Sequence, residues 1–266
     1  MNFLEEIAKK IEEKATTQGA IGLKDGTMGF VLFFMFYQRF TGNDRYEKIT
    51  FELLEDTLSK VSFNNSFDYA NGIVGIGNTI LFLAEEKFVD FDSSDFFNDL
   101  DKMVFKKLQS DIVVNFSHDT GITGLCRYAI HRPVKTDAIQ HTLNQITKGF
   151  EKSICNISPI FLFPSEILPD IKLLLLEISN IIDFQEQIIS INRTIEYFES
   201  NHTILQSNCP DYKTIQQLRE AGIRQENNKI KSLLTVIAKE PHNAVLQGLA
   251  YMNIKKPTLP PWWKLF

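Results

Sequence analysis

The sequence predicts an all-α chain of repeated helical hairpins, an α/α toroid with inner and outer helices, and three observations carry that prediction. Glycine-rich starts recur as Asp25-Gly26-Thr-Met-Gly29, Asp68-Tyr-Ala-Asn-Gly72-Ile-Val-Gly75-Ile-Gly77 and Asp119-Thr-Gly121-Ile-Thr-Gly124. Their first glycines stand 46 and 49 residues apart, a period typical of repeated two-helix units. Each start opens an apolar helical run, and an amphipathic run follows it. A helix that is apolar all round is buried all round, whereas one with a single apolar stripe keeps a solvated face. Alternation of the two kinds predicts inner helices wrapped by outer ones.

The elements follow in order. Residues 2–18 place Phe3, Leu4, Ile7 and Ile11 on one face among Glu and Lys, an amphipathic helix. After a glycine-rich loop, Met28–Phe40 is apolar on almost every side and reads as the first inner helix. Thr41-Gly42-Asn43-Asp44 is a turn, with Asn43 or Asp44 as N-cap of an amphipathic helix over about 45–61. Gly72–Lys87 and Ser93–Leu108 repeat the pair. In the third copy Gly121–His131 is the inner helix, Pro133 breaks the chain, and Thr136–Lys152 is the outer helix. Ser158–Pro164 reads as an extended linker because of its prolines. Further helices are expected at Ser165–Ile182, Phe184–Phe198, Tyr212–Ala221 and Gln225–Lys239. His242–Met252 is the last inner helix, built around the fainter glycine start at Gly248. One toroid domain over 1–256 is expected, followed by a Pro/Trp-rich tail at 257–266 whose tryptophans either dock on the body or stay exposed.

Composition narrows the function. A 44% hydrophobic fraction against 23% charged residues supplies a core of ordinary size. A net charge of −5 with no basic face excludes a general nucleic-acid binder. Three isolated cysteines, Cys126, Cys155 and Cys209, are no disulfide framework and fit a reducing compartment. The first ten residues carry acids, Glu5 and Glu6, where a signal peptide has a basic start and an apolar run, and the longest apolar stretch, Phe30–Tyr37, is too short to span a bilayer. A cytoplasmic protein without membrane partners is expected. The glycine starts are not phosphate loops, since no Lys-Ser/Thr follows them and no strand precedes them.

The glycine starts, the paired helices and above all Asp68-x-x-x-Gly72-Ile-Val-Gly75-Ile-Gly77 resemble the lanthionine synthetase C-like (LanC-like) family. The resemblance covers about residues 20–130 and is fainter near 244–252. It implies an α/α toroid in the maturation of a ribosomally synthesised, post-translationally modified peptide. Partners would be a precursor peptide and a second peptide-modifying enzyme. Members add a cysteine thiolate to dehydroalanine or dehydrobutyrine at a zinc held by two cysteines and a histidine. Asp68 matches the family's active-site aspartate. The family's His-Gly is not matched, because Thr120 precedes Gly121 and the nearest histidine is His118. Its Cys-x-Gly-like and Cys-His-Gly ligand stretches have no counterpart here, so no metal and no other cofactor is expected. The implied role is peptide binding or an accessory function, as a degenerate cyclase.

The residues themselves leave choices open. Asp25 and Asp119 are read either as helix caps that offset the N-terminal dipole or as ligand-binding carboxylates lining a shared cavity. Asp68, four residues ahead of its glycine, stands too far back for simple capping and is the first catalytic candidate. His118 is read as a general base beside Asp119 or as a surface histidine, and His242 as a binding residue at the start of the last helix. Cys126 reads as a small buried hydrophobe. Two further classes compete: a zinc-independent toroid hydrolase acting on carbohydrate through paired carboxylates, Asp68 with Asp25 or Asp119, and an interaction module without a small-ligand site.

Overall fold

The computed structural model describes residues 3–62, 65–90, 94–109, 115–132, 135–155, 167–180, 184–201, 210–239 and 243–266. Among them are twelve α-helices, one 3-10 turn and no strand. The helices are α1 Phe3–Ala15, α2 Thr27–Thr41, α3 Arg45–Lys60, α4 Ile73–Glu85, α5 Ser94–Leu108, α6 Ile122–Ala129, α7 Lys135–Cys155, α8 Ile167–Ser179, α9 Gln185–Asn201, α10 Pro210–Ile223, α11 Asn227–Lys239 and α12 Ala244–Lys255. Every expected helix is present. The expected linker at 158–164 and Pro133 lie outside the described residues. Contacts separate the chain into two compact units, Met1–Asp92 with Asp211–Phe266, and Ser93–Pro210.

In the first unit, α2 buries every residue from Thr27 to Tyr37, whereas α3 buries only Tyr46, Thr50, Leu54 and Thr57. The two pack as a hairpin, and α11 and α12 form a second hairpin. The N-terminus of α3 is served by Asn43, whose Oδ1 accepts the Arg45 N–H at 3.0 Å, while the Asp44 side chain makes no cap bond. Helix α12 crosses α2 closely at Gly248, where any Cβ would run into the Phe33 ring. Phe33 and Phe34 are both fully buried, and Leu81 of α4 is half-buried.

The tail docks. Trp262 is fully buried, Leu259, Trp263, Leu265 and Phe266 are buried with it, and Gly222 of α10 lies against the Trp263 indole. Asn253 of α12 holds the strap by donating from Nδ2 to the carbonyls of Leu259 and Pro260.

In the second unit all eight residues of α6 are buried, and α6 packs against α5, α7 and α8. Helix α7 turns Ala138, Ile139, Thr142, Leu143 and Ile146 inward at helical spacing. Both units therefore keep the alternation of buried and half-solvated helices that the sequence dictates.

Candidate functional site

The three glycine starts share one backbone device. The first helical N–H of α2, α4 and α6 donates to a carbonyl seven residues back: Thr27 to Ala20 at 2.9 Å, Ile73 to Ser66 at 2.9 Å, Ile122 to Asn115 at 3.0 Å. Gly72 and Gly121 donate four residues back, to Asp68 and Ser117, both at 3.0 Å. The loop thus folds under its own helix and meets donors that helix N-termini otherwise leave unsatisfied. Glycine stands at the N-cap because a Cβ at Gly72 would overlap the Ser66 carbonyl and the Asp68 backbone.

This register corrects the capping expected of Asp25 and Asp119. The N-caps are Gly26, Gly72 and Gly121, all in extended conformation and none with a side-chain cap bond. Loop carbonyls have taken the place a carboxylate would fill. The register also gives the three aspartates different places. Gly22, Asp68 and Ser117 are counterparts; Leu23, Tyr69 and His118 follow them; Asp25, Asn71 and Thr120 stand directly before the glycine.

In the first unit, Asp25 is exposed and tied to the second loop: Asn71 Nδ2 donates to Asp25 Oδ2 at 3.1 Å, and Asn71 Oδ1 accepts the Asp25 N–H at 3.0 Å. Asp68 is half-buried with its backbone fixed at both ends, its N–H on Ser66 Oγ and its carbonyl accepting from Gly72. No hydrogen bond or ion pair engages its carboxylate among the described residues.

In the second unit, His118 is no surface histidine, for its side chain is only 3% exposed. Its N–H donates to Asp170 Oδ2 of α8 at 2.7 Å. Arg127 of α6 stands 2.9 Å from its Nε2. A guanidinium only donates, so Nε2 accepts there, and Nδ1 carries the proton toward Asp119 Oδ1 at 3.3 Å. Arg127 Nε continues the chain to Glu177 Oε1 at 3.4 Å. The result is a largely buried network whose most exposed member is Asp119, with a side chain 33% exposed against 14% for Glu177. With Nε2 engaged, the imidazole in this arrangement orients Asp119 and offers no free lone pair.

The position pair occupied by His118 and Arg127 is Tyr69 and Asn78 in the second copy, where Asn78 Nδ2 donates to the Tyr69 hydroxyl. In the first copy it is Leu23 and Leu32. One backbone frame thus carries an apolar pair, a neutral polar pair and a guanidinium hydrogen-bonded to a neutral imidazole. Sequence reasoning missed Arg127, Asp170 and Asn71. Only the nine-residue spacing from His118 to Arg127, matching Tyr69 to Asn78, offered a signal.

The described residues do not suit the zinc that the resemblance implies. Cys126 is fully buried beside Thr142, and burial pushes its thiol up to about 12, away from the thiolate a metal needs. The acceptor nitrogen of His118 faces Arg127. No three His, Cys, Asp or Glu side chains among the described residues come close enough to share a cation. His242 and Cys209 lie outside the described residues, as does the side chain of Cys155. No described helix is long and apolar enough to cross a membrane. Two surface grooves, about 470 Å³ along α1 and the start of α12 and about 450 Å³ on α9, include none of the expected site residues.

No family model and no curated protein matches the chain. Among solved structures it is similar to nisin cyclase, with a TM-score of 0.53 and 14% sequence identity over 88% of this chain and 74% of that one. That likeness shows the fold class, an all-α protein of the α/α toroid type.

Proposed function

We propose that the chain binds a peptide during the maturation of a ribosomally made, modified peptide, with Asp68 as its principal ligand contact. The fold shared with a peptide cyclase supports this reading. The observation that carries it is Asp68 itself: a half-buried residue on a fixed turn, its carboxylate engaged by no described residue. A carboxylate on a fixed turn that no described residue engages keeps its acceptor oxygens available to a ligand. A peptide N–H, ammonium or thiol would donate to them. The protein acts as a binding or accessory member of the pathway, since its described donors do not suit a zinc-activated thiol.

The test is calorimetric titration with a synthetic peptide carrying one cysteine and one dehydrobutyrine. Asp68→Asn is expected to weaken binding about tenfold or more, the scale of a lost charge-assisted hydrogen bond, with the melting temperature unchanged. Loss of stability with unchanged affinity would make Asp68 a structural residue and end this reading.

A further inference from the structure

The second loop is tied to the first loop as well as to its own helix, and the contacts with the first loop converge on Ala70 and Asn71. The Ala70 carbonyl accepts two N–H groups, from Leu23 at 3.0 Å and Lys24 at 2.9 Å. Asn71 exchanges two bonds with Asp25, accepting the backbone N–H on Oδ1 and donating to the carboxylate from Nδ2. The Asp25 carbonyl is fixed in turn by Gln18 Nε2 at 2.7 Å. Gly22, the counterpart of Asp68, lies so close to the Asn71 backbone that any Cβ would overlap it. The first loop is therefore shaped as a seat for the second: where the second copy has Asp68, it has no side chain, and where the second copy has Asn71, it has the complementary Asp25.

We propose that the Asp25–Asn71 pair is a latch that positions Asp68. This rests on the reading of Asp68 as the ligand contact. It assigns Asp25 a positioning role in place of direct binding, and it gives Asn71 a role that its sequence context did not suggest. The turn that presents Asp68 closes through Gly72 N–H on the Asp68 carbonyl and Ile73 N–H on the Ser66 carbonyl. Residues 70 and 71 are the links between that turn and the latch. Releasing the latch loosens the turn, leaving the Ala70 carbonyl as its remaining backbone tie to the first loop, without touching the Asp68 side chain.

The chemistry of the pair permits a swap. Asn71→Asp sets two carboxylates face to face, which disfavours both being ionised at that distance. Asp25→Asn alone leaves an amide that still accepts from Asn71. The double variant Asp25→Asn/Asn71→Asp restores the pair with its polarity reversed. The carboxylate then at position 71 accepts both from the residue-25 N–H and from the amide introduced at position 25. The probe is the cysteine- and dehydrobutyrine-bearing peptide used for Asp68→Asn, read beside amide hydrogen exchange.

Asn71→Asp is expected to speed exchange at Gly72 and Ile73 about tenfold and to weaken peptide binding about tenfold. The swap should return both to within about threefold of wild type, while exchange at Gly121 and Ile122 of the third copy stays constant throughout. The proposal is overturned if Asn71→Asp leaves Gly72 and Ile73 unmoved, or if the swap fails to restore them. It is also overturned if exchange responds while affinity stays at the wild-type value, since the pair would then be structural only. If Asp68→Asn itself leaves affinity unchanged, the binding reading falls separately, and the exchange data alone decide whether the pair sets the turn.

Discussion

At the scale of single residues, burial decides chemistry more than residue type does. Cys126 has a thiol, yet its surroundings keep it protonated: desolvation raises it from an ordinary 9.0 to about 12, more than the Thr142 hydrogen bond lowers it. The sign of the linkage follows from that rise. Stability associated with the neutral thiol is fully present below about 9 and is lost as pH climbs toward about 12, because the unfolded chain releases the proton first. Native protein treated with iodoacetamide at pH 8.5 should therefore leave Cys126 unmodified in peptide maps, and urea-unfolded protein should modify it fully. Native labelling at the unfolded rate would show that the α6 core opens freely. His118 follows the same logic in polar form. A histidine beside an aspartate suggested a base, but Arg127 and Asp170 turn it into an internal strut.

At the scale of elements, close helix approach is written in small residues. Gly248 lets α12 lie on α2 against Phe33, whose ring is fully buried and has Phe34 and Tyr37 as aromatic neighbours. Gly248→Ala gains about 1 kcal/mol of helix propensity but overpacks that contact. Net destabilisation of about 1–2 kcal/mol is expected in urea denaturation, because a ring held by its neighbours cannot move aside. A stabilised variant would show that α12 shifts easily. Helix existence was legible from periodicity alone, down to the weakly patterned α8 to α11, since each must turn an apolar stripe inward. The capping of the inner helices was not legible. Asp25 and Asp119 look like caps in sequence, but loop carbonyls seven residues upstream occupy that role through backbone geometry that no side-chain pattern records. Asn71 escaped notice for a related reason: its partner lies 46 residues away, on the preceding copy of the same loop.

At the scale of the whole molecule, repetition explains why one frame can carry different chemistry. The loop-and-helix start is the same hydrogen-bonded object in both compact units. Freed from building the backbone, the side chains at the 69/78 and 118/127 positions vary from tyrosine with asparagine to histidine with arginine. The likeness to nisin cyclase, at 14% identity, is a likeness of fold. The sequence resemblance rested on the part the fold needs, the glycine starts, and the fold class is what it foretold. In the proposed reading Asp68 is the ligand contact, and the turn that presents it is built by the repeat itself. The central claim is that peptide engages the chain there. Hydrogen exchange of the wild-type protein with and without the cysteine- and dehydrobutyrine-bearing peptide tests it most directly. The account predicts slower exchange across residues 66–75 when peptide is present; protection confined to other segments, such as the exposed face of α9, or no protection at all, would contradict it.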